Sequence, residues 1–205
     1  MSSGPATTAR IVPTQQRSRD RMEKILLAAT DLIGEAGSDA MKMSELAKRS
    51  GISIGSLYQY FPDKRSIIAA LAEKCHAEGS HCIAEALAGV TSLEAFRAAF
   101  DALIDEYYAL FLAEPVMRDV WSGTQADKSL IDIDIRNNRE NAAVVTDALL
   151  RVQPGLSREA ILPRAFLVMS LGDATMRLAI AVPADEGRVM VDTYKRMALH
   201  ELTGA

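Results

Sequence analysis

Between Ser53 and Tyr60 the chain gathers a small set of groups suited to reading the edges of base pairs. Gln59 is the one side chain there able to pair bidentately with adenine. Ile54 can meet a thymine methyl, and Gly55, with no side chain, lets a backbone approach closely. No arginine stands among them, so guanine readout is expected to be weak and DNA shape to matter. Enzyme chemistry has no comparable set. No Ser-His-Asp, metal-ligand or phosphate-loop spacing occurs, and His76, His81 and His200 are scattered.

Base-reading side chains act only if something holds them in one register. Leu46 and Ala47 lie one turn before Ser50, which predicts a short helix from about Met43 to Ser50 with an apolar face turned inward. Gly51 breaks it where a helix end calls for a left-handed residue. Ile52 is expected to return to the core, and Ser53 to cap a second short helix reaching Tyr60. Leu57 and Phe61, four apart, would seat that helix and leave Ser53, Ile54, Gly55, Ser56, Gln59 and Tyr60 largely uncovered. Pro62 stops it, and Asp63 caps the next helix with Lys64 at its start. Two short helices about a glycine turn describe a helix-turn-helix, whose second helix enters the DNA major groove.

Gly51-Ile52-Ser53, Leu57-Tyr58, Tyr60-Phe61-Pro62 and Lys64, in that register, resemble the DNA-binding signature of the tetracycline-repressor (TetR) family. The resemblance covers roughly Arg17 to Leu71. It implies base contacts from Ile54, Gly55, Ser56 and Gln59, assisted by Ser44, and phosphate contacts from Tyr58, Tyr60 and Lys64. The family usually opens the first motif helix with Ser or Thr. Met41, Lys42 and Met43 stand here instead, with Lys42 within reach of a phosphate.

The 205 residues, 49% hydrophobic and 24% charged, suffice for one or two modest domains. The net charge of −4 argues against indiscriminate nucleic-acid binding, yet the charge is unevenly spread. Residues 1–65 carry ten Lys/Arg against seven Asp/Glu, net +3, and the remainder thirteen against twenty, net −7. A basic head on an acidic body suits a protein that meets phosphates at one end only. No apolar run approaches the roughly 20 residues of a membrane span, and the N-terminus lacks a signal peptide's apolar core. A cytoplasmic location with no membrane partner is the expectation. Cys75 and Cys82 are too far apart on one helix to bridge. Neither His76 nor His81 is three or four residues from either cysteine, so neither a metal nor a cofactor site is expected.

Residues 1–16 are predicted to be a flexible tail, 17–63 the DNA-binding domain and 64–205 a second helical domain, all-α throughout with about nine helices. Arg10, Arg17, Arg19 and Arg21 are either a solvated helix end or an arm that touches phosphate or the minor groove. A long helix from Lys64 to about Ala88 starts at the motif and ends in the acidic body, with Gly79 a weak point midway. Ser92 is expected to cap a helix with Leu93, Phe96, Phe100, Leu103, Tyr107 and Phe111 on one stripe. With Met117 and Trp121 beyond Pro115, that stripe is either core or the lining of an apolar pocket. Leu130 to Ile135 alternates apolar and acidic like a strand, but with no partner strand it is read as helix to about Val152. The block 136–141, with Asn137, Asn138 and Arg139, is a solvated face or a source of polar groups for a pocket. The segment 157–182 is apolar nearly all round, so it must be covered on two sides. With 185–202 it resembles the pair that forms the family's homodimer interface. Asp173 and Arg177, four apart, pair with each other or touch a ligand.

The resemblance therefore implies a homodimeric regulator, most commonly a repressor released from a palindromic double-stranded operator by a small effector. The side chains named above predict an effector that is mostly apolar. Two alternatives stand beside it: a DNA-binding regulator gated by a protein or by nothing, and an all-helical enzyme.

Overall fold

In the computed structural model, which describes residues 12–113, 116 and 128–204, every regular element is a helix. Eight occur among the described residues, against about nine expected: α1 Val12–Ala36, α2 Met43–Ser50, α3 Ile54–Tyr60, α4 Lys64–Ala88, α5 Leu93–Ala113, α6 Lys128–Val152, α7 Arg158–Ala179 and α8 Ala184–Thr203. They form two compact units, 1–71 and 72–205.

The first unit is built around α1, whose Ile25, Leu26, Ala29, Leu32 and Ile33 bury one face. The helix begins at Val12, inside the stretch expected to be a tail. Pro13 does not prevent this, because the first turn has no partner for its N–H groups in any case. Gly37, at φ 84°, closes α1 with its N–H on the Ile33 carbonyl. Leu46 and Ala47 of α2, Leu57 of α3 and Phe61 complete the core, joined by Met41. Ile52, expected to be core, is only half-buried. Ile67, Ile68 and Leu71 also bury themselves, so the first two turns of α4 belong with this unit and its boundary falls beyond residue 63.

Two polar ties brace the unit. Arg49 donates to both carboxylate oxygens of Glu35, at 2.6 and 2.9 Å, linking the ends of α2 and α1. This fork holds the Glu35 carboxyl below its ordinary range. The Lys64 ammonium donates to the carbonyls of Ser38 and Asp39, at 3.0 and 3.1 Å, fixing the turn after α1.

In the second unit α6 packs on α7 and α7 on α8, with α5 against all three. The alternating stretch from Leu130 to Ile135 is helix, the opening turns of α6. The buried stripe of α5 runs Phe96, Phe100, Ile104, Tyr108, Phe111. It passes through Ile104 and Tyr108 rather than the expected Leu103 and Tyr107, which flank it half-buried. Steps of four from Phe96 reach Tyr108 and carry the stripe past the other pair. Ser157 caps α7 through the Ala160 N–H, and the helix runs through Pro163 without ending. Two glycines bring α7 and α8 together. A Cβ on Gly187 would lie 2.2 Å from the Ala179 carbonyl oxygen, and one on Gly172 would lie 2.8 Å from the Tyr194 hydroxyl. Lys195 of α8 donates to Asp105 of α5 and pairs with Asp101, both at 2.8 Å, which ties the bundle's flank.

Among the described residues no helix is long and apolar enough to cross a membrane, and no group of three or more His, Cys, Asp or Glu gathers to hold a metal. Cys75 is half-buried and Cys82 exposed, both as free thiols.

Candidate nucleic-acid interface and effector site

The local chemistry that sets α3 is spent within the motif itself. Gly51 takes φ 67°, ψ 36° at the end of α2, and its N–H closes on the Ala47 and Lys48 carbonyls. Ser53 accepts the Ser56 N–H at 3.1 Å. Its oxygen is therefore a cap, and the hydroxyl proton is what it can still offer outward. At the far end Asp63 accepts the Ser66 N–H at 2.7 Å, while Ser66 Oγ receives the Asp63 N–H at 3.4 Å. This reciprocal box starts α4 immediately after Pro62.

Held this way, α3 buries Leu57 and turns out Ile54, 43% exposed, and Tyr58, 49% exposed. Gly55 and Gln59 are also exposed, and Ser56 and Tyr60 half-buried. Lys42 stands at the N-cap of α2 without a side-chain cap bond, and both it and Ser44 are exposed. Lys64 differs from the rest. Two of its three ammonium N–H groups are engaged by main-chain carbonyls of its own unit, leaving one to offer elsewhere.

The second unit splits the residues expected around an effector. Phe96 and Phe100, 0% and 2% exposed, are core, with ring centroids 5.9 Å apart. Phe111 is buried with its ring edge-on to Tyr107 at 4.9 Å. Met117 and Trp121 lie outside the described residues. Arg139 is exposed, its guanidinium 5.5 Å over the Phe166 ring, so it faces outward. Asp173 is not hydrogen-bonded to Arg177, contrary to the pairing expected. Its Oδ1 accepts from the Tyr107 hydroxyl and its Oδ2 from the Asn138 amide, each at 2.9 Å. Burial pushes the Asp173 carboxyl above its ordinary range, against those two hydrogen bonds. The same burial, with Asp173 beside it, pushes the Tyr107 hydroxyl up.

A polar seam also joins α4 to α6. His76 Nε2 lies 2.9 Å from Asp134 Oδ1, both nearly buried. Ser80 Oγ lies within 2.9 Å of Asn137 Oδ1 and 2.7 Å of Asn141 Oδ1. One hydroxyl has one proton, so one of these amides must present its nitrogen instead. Between the helices is a polar cleft of about 190 Å³ lined by Glu73, His76, Ser80, Arg136, Asn137 and Glu140, with Ala77 and Ile133. The sequence reading did not single out Asp134 or Asn141. Their signal was present, since Asp134, Asn138 and Asn141 recur at helical spacing on the inward face of α6.

On α7 and α8 large apolar side chains remain uncovered: Leu167, Leu171, Leu178, Val189 and Met197. Met169 packs against the core instead.

A short, capped and outward-facing helix following a glycine turn, ahead of an all-helical body, defines the class of helix-turn-helix transcriptional regulators. Residues 25–71 match the family described as bacterial regulatory proteins, tetR family. Residues 94–204 match the tetracyclin repressor-like C-terminal domain. The chain belongs to the TetR family. It is 31% identical over 119 residues, 56% of its length, to an uncharacterized HTH-type transcriptional regulator of Bacillus subtilis, and spans 58% of that protein. With a class A tetracycline repressor from Escherichia coli it shares 41% identity over 54 residues, 26% of this chain and 25% of the other. A solved TetR-family regulator from Streptomyces coelicolor superimposes with TM-score 0.70 at 25% identity, covering 90% of this chain and 97% of that one.

Proposed function

We propose that the protein is a cytoplasmic, homodimeric repressor that leaves a palindromic operator when a small, mostly apolar effector binds its second unit. The observation that carries the reading is the exposed face of α3, with Ile54, Gly55, Tyr58 and Gln59 outward on a helix capped at Ser53. Ile54, Gly55, Ser56 and Gln59 meet base edges with help from Ser44, while Lys42, Ser53, Tyr58, Tyr60 and the remaining N–H of Lys64 meet phosphate and sugar. The uncovered apolar residues of α7 and α8 support a two-fold partner, since a monomer rarely leaves so many together. Two motifs related by that axis read half-sites about 34–36 Å apart or a multiple of it. The effector and the operator favour different conformations, so each weakens the other.

Incubating the protein with fragmented genomic DNA and sequencing the recovered pieces tests this directly. The expected product is an inverted repeat. Recovery without any two-fold symmetric element would remove the dimeric-operator reading.

A further inference from the structure

Asp173 and Tyr107 are enclosed by protein on nearly every side, yet neither is sealed: both are half-buried and keep surface that water can reach. Groups so deep and still wetted line a crevice rather than fill a core. Phe166, Met169 and Arg177 are half-buried in the same way. Within this crevice the carboxylate is incompletely matched. Each of its oxygens accepts one hydrogen bond from a neutral donor, and each has a second lone pair left. Among the described residues no cation lies within ion-pair distance of it, and Arg177 acts only through space. Arg139, the other candidate for meeting a ligand's charge, is turned outward onto Phe166.

We infer that Asp173 is the effector's anchor, and that the effector presents an N–H or O–H donor, an amine or a phenol, on an aromatic body. A donor completes the open lone pairs of a carboxylate that folding has already removed from bulk water. A carboxylate ligand meets like charge at the same place and is rejected. The flat faces of Tyr107 and Phe166 take the body, whereas the buried rings of Phe96 and Phe100 do not. The raised carboxyl of Asp173 fits this role, since an isolated buried charge gains most from a partner. This inference rests on the effector reading above, and the test separates the two.

Binding of 2-naphthylmethylamine, 2-naphthol and 2-naphthoate to the full chain is measured by calorimetry, and operator release by each compound by anisotropy. The amine and the phenol bind at least about tenfold more tightly than the acid, about 1.4 kcal/mol. Asp173→Asn keeps the Tyr107 contact and removes the charge; it weakens the amine at least tenfold and the phenol less. Tyr107→Phe frees one lone pair without touching the carboxylate, so it keeps the preference for donors even if Asp173→Asn does not fold. Naphthoate binding as tightly as the donors overturns the inference, as does a folded Asp173→Asn protein with unchanged amine affinity, or no binding of any of the three. Donors that bind through Asp173 without releasing the operator uphold the anchor and remove the effector reading instead.

Discussion

Gly55 occupies the second position of α3, where a glycine costs the helix something and the packing asks for nothing. A Cβ built there meets no atom within 4 Å, and the position is exposed. Gly55→Ala therefore stabilises the folded motif, by about 0.5 kcal/mol near a helix end and at most about 1 kcal/mol. For a unit of this size, that raises the melting temperature by about 2–4 °C. If the backbone of α3 lies against DNA at Gly55, the same methyl group intrudes on the contact. A disturbed base contact costs about 1–3 kcal/mol, which is a loss of affinity of about 5- to 150-fold. Anisotropy titration of a recovered operator fragment at one fixed salt concentration, with thermal unfolding in parallel, measures both quantities. An alanine protein that binds as tightly as wild type would remove Gly55 from the interface. One that melts lower would refute the argument that the glycine serves binding alone.

Lys64→Met keeps the stem but removes the two bonds to Ser38 and Asp39, and is expected to cost the first unit about 1–3 kcal/mol. Urea unfolding measures that loss. If the third N–H reaches a phosphate, the slope of log affinity against log salt also flattens by about 0.9. Unchanged stability would mean the two carbonyl contacts do not tie the turn. Leu178→Glu, on the uncovered face of α7, should sediment as a folded monomer at micromolar concentration, whereas Met169→Glu, packed on the core, should fail to fold. A dimeric Leu178→Glu protein would place the partner surface elsewhere. The hydrogen bond from Lys195 holds the Asp105 carboxyl below its ordinary range, with a second from Arg188. A depressed carboxyl contributes stability above its unfolded pKa and loses it as pH falls through the folded value. Asp105→Asn should therefore be less stable than wild type at pH 7, with the gap closing in acid. A gap that is constant with pH would show that the charge is not what stabilises.

What was legible in the sequence was local. Caps at Ser53, Asp63, Ser92 and Ser157 are formed as read, because a cap joins residues three apart and depends on little else. Gly51 adopts the left-handed turn its position required. The bundle's polar contacts were not legible, since they join residues that only tertiary packing brings together. His76 and Asp134 are 58 residues apart, and Tyr107 and Asp173 are 66. Arg177, four residues from Asp173, looked like its partner by spacing, yet the carboxylate took donors from two other helices. Lys64 shows the same override at the DNA-binding end, where a side chain suited to phosphate also ties down a turn 25 residues earlier.

At Gly187 the crossing of α7 and α8 brings main chain against the Ala179 carbonyl, with no side chain between them to yield. Most positions in a core can trade volume with a neighbour, losing methylene here and gaining it there. This one has no neighbour to trade with. The two helices that carry the uncovered apolar residues are thus joined like a welded corner, and their outer surface can diversify freely while its angle cannot. In a library randomised across α8 and selected for operator binding, Val189 and Met197 should drift among apolar residues while position 187 returns only glycine.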